Sequence, residues 1–118
     1  SDAMTHQWPE AQQLDAVVCE TYLGQPFSAP PSPKKLHEVT GNCNHIITNF
    51  LRNIHSQLTP GTTLCIAVPA WRDASHNLTH LPLIKDLKKL GYILQQPPLT
   101  YSRSDQVVVR EILLLKTA

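Results

Sequence analysis

The amino-acid sequence predicts an α/β fold in which a partly parallel sheet is covered by two helices and closes on an antiparallel hairpin. Three observations carry that prediction. Short β-branched apolar runs alternate with stretches of helical period. Proline- and glycine-rich breaks separate them. The last part of the chain reads as two strands joined by a polar turn. The 118 residues fit one domain, and their 42% apolar content can build one modest core.

Residues 1–13 are a lead-in, and Ser1, Asp2 and Ala3 ahead of Met4 match the short remnant of a cleaved expression tag. The domain proper spans 14–118. Leu14 to Cys19 is an apolar run without alternation, the pattern of a strand covered on both faces. After Tyr22-Leu23-Gly24, four prolines among the eight residues from Pro26 to Pro33 forbid helix and ladder bonding, so this stretch is a loop. Ser32 can cap a helix with Pro33 at its first position. Leu36, Val39, Cys43, Ile46, Ile47, Phe50, Leu51, Ile54 and Leu58 then recur at helical steps until Thr59-Pro60-Gly61. Gly41 marks a place for a break in that helix.

Thr62 to Val68 reads as a second buried strand halted by Pro69, and Trp71 to Leu78 as a loop without period. A second helix is expected from His80 to Leu90, with Leu83, Ile84, Leu87 and Leu90 inward, Lys85, Asp86, Lys88 and Lys89 outward, and Gly91 as the stop. Beyond Tyr92-Ile93-Leu94 and the Pro97-Pro98 break, Leu99 to Arg103 and Val107 to Lys116 flank Ser104-Asp105-Gln106 as a hairpin.

Net charge is +1 with 16% charged residues, so bulk electrostatics announce neither a nucleic acid nor a membrane, and any RNA-binding surface must be local. The three cysteines, Cys19, Cys43 and Cys65, sit in apolar runs without a C-x-x-C pair, as reduced core residues do. With no membrane-length apolar stretch and no signal-peptide pattern, the chain reads as cytoplasmic. Nucleophilic catalysis is disfavoured: there is no Gly-x-Ser-x-Gly elbow, and Cys19 has no evident base. His76 and His80, four apart, lack a third ligand, and Cys43 and His45 point different ways on a helix, so no metal site is expected.

The end of the first strand is the most informative segment. Cys19-Glu20-Thr21-Tyr22-Leu23-Gly24 resembles motif IV of the amino-methyltransferases, which carry Asp/Asn-Pro-Pro-Tyr at a strand's end. Two registers fit. One places Glu20 on the acid and Leu23 on the aromatic; the other places Cys19 on the acid and Tyr22 on the aromatic. The Glu-x-Tyr-Leu-Gly version and the strand Val109-Arg110-Glu111-Ile112-Leu113-Leu114-Leu115 are similar to the THUMP-linked putative RNA methylases, relatives of the tRNA guanine-N2 methyltransferases.

That resemblance implies the second half of a Rossmann-like methyltransferase sheet and an S-adenosylmethionine-dependent enzyme acting on a base amine, with guanine in tRNA the leading substrate. Glu20 and Tyr22 would be catalytic: a carboxylate accepts the amine's hydrogens while the Tyr22 ring stacks on an extruded base. Thr21, Leu23, Gly24, Phe27, Trp71 and Arg72 would contact substrate. Asp2 would touch the cofactor, in which case it is native. No glycine-rich turn accompanies it, since Gly24, Gly41, Gly61 and Gly91 are scattered, so the chain alone should be inactive. The first strand should be an exposed edge through which the chain self-associates. The alternatives are a DNA amino-methyltransferase and a non-catalytic α/β binding or regulatory module.

Overall fold

A computed structural model describes residues 4–9, 15–21, 23–75, 77–101 and 106–118. Its elements are β1 (Ala16–Glu20), α1 (Pro33–His55), β2 (Thr63–Arg72), β3 (Leu78–Thr79), a 3₁₀ helix (Pro82–Asp86), β4 (Tyr92–Leu94), β5 (Leu99–Tyr101) and β6 (Val108–Thr117). They form a mixed six-stranded sheet in the order β1-β2-β6-β4, with β3 on β2 and β5 on β6. β1 and β2 are parallel, joined by α1 as a crossover; every other pairing is antiparallel.

α1 forms where the periodicity places it. The Ser32 side chain accepts from the Lys35 amide at 3.2 Å, and the next residue, Pro33, needs no donor there. The helix runs through Gly41 without interruption, because that glycine lies on the exposed side with nothing within 4 Å of its Cβ direction. Cys43, Ile47, Leu51 and Ile54 point down onto Leu64, Ile66, Val68, Leu113 and Leu115 of the sheet. Tyr92 closes one end of this core, its hydroxyl donating to the Leu51 carbonyl at 2.6 Å, and burial pushes its pKa far up. The lead-in docks on the same helix. Asn53 and Gln57 donate to the His6 carbonyl, and Trp8 packs edge-on against Phe50.

Three expectations are corrected. β2 does not stop at Pro69 but continues to Arg72. Thr21 donates to the Ala67 carbonyl, so odd-numbered residues of β2 turn their backbone groups toward β1, and β1 ends at Glu20. The missing donor of Pro69 therefore faces a side with no strand to bond, which is where a sheet tolerates proline. The stretch Trp71 to Leu78 is accordingly strand at both ends, with Asp73 accepting from the Ser75 and Asn77 amides between them.

The second helix is a 3₁₀ segment followed by turns, leaving one α-helix instead of two among the described residues. Pro82 sets its start and Gly91 lies nine residues on, a length at which an isolated α-helix is marginal, and the Leu83 amide donates to the Asn44 side chain of α1. Lastly, β1 alternates where coverage on both faces was expected: Val17 and Cys19 are half-buried under α1, whereas Val18 is 78% exposed. Across the sheet, Cys65, Ala67, Ile112 and Leu114 share that second face and are only half-buried, with no helix over them among the described residues. The hairpin is present as β5 on β6; Leu14, Arg103, Ser104 and Asp105 lie outside the described residues.

Candidate functional site

β1 delivers Glu20 to its carboxyl end, opposite Ala67. Glu20 and Arg110 share the second sheet face, and the Arg110 Nε donates to Glu20 Oε2 at 2.7 Å across the intervening strand. The Glu20 hydrogen bond, then its charge, raise the Arg110 pKa further above its ordinary range, so the guanidinium stays charged. Glu20 remains half exposed, and its Oε1 has no partner among the described residues. Arg110 was the residue that sequence reasoning missed; its signal was a charged pair, Arg110-Glu111, between the apolar runs of one strand.

The segment after Glu20 is fastened down. Thr21 donates twice to the Ala67 carbonyl, from its amide at 3.0 Å and its hydroxyl at 2.8 Å. Gly24 has a φ of +77°, and a Cβ there would sit 3.0 Å from Cys43 Sγ. Only glycine allows the loop to lie so close on α1. Leu23 and Phe27 follow, half-buried, with Phe27 packed against the core.

Glu20, Thr21, Leu23, Gly24 and Phe27 thus belong to one stretch at the carboxyl edge of the parallel strands, where open α/β sheets bind ligands. Arg72 lies at the end of neighbouring β2, its Nε donating to the Gln106 carbonyl at 3.2 Å. Trp71 does not join them. It is fully buried in the core cluster, so the expected substrate contact is a packing residue instead. Tyr22 and Asp2 lie outside the described residues.

On the covered face a groove of about 780 Å³ runs between the 3₁₀ helix and β5–β6. Glu111 lies at its base with a side chain only 5% exposed, and His80 Nδ1 is 2.9 Å from its Oε1. Neither was singled out from the sequence as a partner of the other. No group of three or more metal-ligating side chains occurs among the described residues. Burial, the larger effect, and the neighbouring Cys65 raise the Cys19 pKa, and burial raises that of Cys43, which leaves neither suited to act as a nucleophile. Among the described residues no helix is long and apolar enough to cross a membrane.

This half-sheet, with one crossover helix and an antiparallel end, aligns with a solved structure from Thermus thermophilus, a protein provisionally called a DNA modification methylase. The TM-score is 0.57 at 21% identity, over 99% of this chain and 52% of that one. The chain has part of a methyltransferase-type fold. The selenomethionine derivative of the same Thermus protein aligns with a TM-score of 0.55 at 20% identity, over 93% of this chain and 47% of that one. Its form complexed with S-adenosyl-L-methionine aligns less well, with a TM-score of 0.44 at 18% identity, over 93% and 47% of the two chains. The chain therefore spans about half the length of the methyltransferase-type structures it matches. No protein-family model and no curated protein matches it.

Proposed function

We propose that this chain is the carboxy-terminal half of an S-adenosylmethionine-dependent methyltransferase acting on an exocyclic amino group of a nucleic-acid base, with guanine in tRNA the leading substrate. The observation that carries the reading is Glu20, a half-exposed carboxylate held by Arg110 at the carboxyl edge of a methyltransferase-type half-sheet. The matching Thermus protein has been crystallised with S-adenosyl-L-methionine.

An aromatic amine is a poor nucleophile because its lone pair is delocalised into the ring. Acceptors that hold its hydrogens restore electron density to nitrogen as the bond to the methyl carbon forms. Arg110 occupies Glu20 Oε2 and leaves Oε1 for such an amine, and main-chain carbonyls of Thr21, Leu23 and Gly24 are assigned as further acceptors. Tyr22 is assigned the stacking contact and Phe27 and Arg72 flanking contacts with the strand carrying the base. Asp2 is assigned to the cofactor.

Among the described residues the positive-φ glycines, Gly24, Gly61 and Gly91, lie far apart in sequence and make no glycine-rich turn. The methyl donor is assigned to a preceding half of the fold, docked against the free edge of β1; without it, that edge and Val18 favour self-association.

Calorimetric titration of S-adenosylmethionine into this chain, and into a polypeptide extended upstream in the same reading frame, tests the proposal. Binding is expected only to the extended protein, and Glu20→Gln there should cut methyl transfer by roughly 100-fold or more. Transfer to tRNA transcripts against duplex DNA separates the two substrate classes; the provisional assignment of the Thermus protein favours DNA as the second. No binding to either polypeptide would overturn the enzyme reading and leave a non-catalytic binding module.

A further inference from the structure

We propose that the groove between the 3₁₀ helix and β5–β6 binds a guanine nucleotide, with Glu111 receiving the edge of the base. Adjacent residues on β6 face opposite sides of the sheet, so Glu111 lies on the other face from Arg110 and Glu20 and the groove is separate from the proposed methyl-transfer site.

Glu111 is a carboxylate taken almost wholly out of water, a placement that requires compensating donors. His80 supplies one donor, to Oε1. Oε2 has no partner among the described residues, although the side chain lines the groove. A ligand that satisfies the site must bring donors of its own. The guanine edge presents two adjacent N–H groups, matching the fork of a carboxylate. Adenine places an acceptor beside its amine, and uracil flanks its single donor with acceptors, so each leaves a carboxylate oxygen facing an acceptor.

The walls suit the rest of such a ligand. Ile84 and Pro98 contribute apolar surface for the base, Thr100 adds a hydroxyl beside Glu111, and the exposed Lys85, next to Asp86 in the lining, offers a cation for a phosphate. The volume of about 780 Å³ lies within the range of small-ligand sites.

The test is titration of GMP, AMP and N-acetyl-arginine amide into the 118-residue chain, followed by the amide NMR signals of Leu81 and Thr100. GMP should shift those signals and bind at least about tenfold more tightly than AMP or the arginine probe, and the isosteric Glu111→Gln should remove about tenfold of that affinity. Lys85→Ala, at an exposed position, should weaken GMP but leave guanosine unchanged. A single-stranded RNA pentamer with one guanine distinguishes sources: tighter binding than GMP assigns the groove to a nucleic-acid strand, and equal binding to a free nucleotide. The proposal is overturned if no nucleotide binds at millimolar concentration, if AMP or the arginine probe matches GMP, or if Glu111→Gln and Lys85→Ala both bind GMP like the parent chain. A failure here leaves the methyltransferase reading untouched.

Discussion

Replacing Gly24 with alanine probes the joint between the loop that follows Glu20 and the helix that supports it. Two costs arise from the structure. The φ of +77° puts the residue in the left-handed region, which costs a side-chain-bearing residue roughly 1–2 kcal/mol. The new Cβ would also lie 3.0 Å from Cys43 Sγ and 3.6 Å from Val39 Cγ1, and Cys43 is fully buried in the rigid middle of α1, so relief requires the loop to lift. Overpacking of this kind costs roughly 1–3 kcal/mol. Together they predict a loss of about 2–5 kcal/mol, which lowers the urea midpoint by about 1 M or more at an ordinary slope. Urea denaturation followed by circular dichroism measures it. Cys43→Ala should be less costly in the Gly24→Ala background than in the parent, with a coupling of roughly 0.5–3 kcal/mol, because it removes the atom in conflict. A loss under about 1 kcal/mol with no coupling would show that the loop does not lie on α1, and Glu20 would lose the support assigned to it.

Three further outcomes follow from the same structure. Gly41→Ala should stabilise the chain by up to about 1 kcal/mol, since the site is mid-helix, exposed and open to a Cβ, and thermal unfolding would register it. Tyr92→Phe removes a buried hydroxyl that donates to the Leu51 carbonyl at 2.6 Å; a destabilisation of roughly 1–2 kcal/mol in denaturant is expected. Val18→Lys, on the exposed face of edge strand β1, should shift sedimentation velocity at high micromolar concentration toward monomer; a parent chain that is already monomeric there refutes the self-association.

What the sequence disclosed follows from how local each cause is. The Ser32 cap, the Pro33 start and the apolar spacing from Leu36 to Ile54 act within a few residues of themselves, so α1 was legible to within its final turn. The β5–β6 hairpin was legible for the same reason. Pro69 was misread because its effect depends on where β1 ends, a fact fixed by a pairing 46 residues apart in the chain. The second helix was misread because apolar spacing over so short a stretch does not distinguish an α-helix from a 3₁₀ segment followed by turns. Trp71 was misplaced with its loop: β2 extends to Arg72, so Trp71 is a residue of that strand, and there it is fully buried.

The candidate site shows the same limit with a sharper consequence. A strand turns successive side chains to opposite faces, so the pair Arg110-Glu111 is divided by the sheet: one charge crosses β2 to meet Glu20, and the other is buried beside His80. Sequence proximity therefore pointed away from both partnerships, which join residues 90 and 31 positions apart. Moving β6 by one residue against β2 would exchange the two faces, placing an arginine in the core and removing the cation from Glu20. The apolar side chains that fix the register of β6, Leu113 and Leu115 against Ile66 and Leu64, thereby also fix which carboxylate is free to meet a ligand on each side of the sheet.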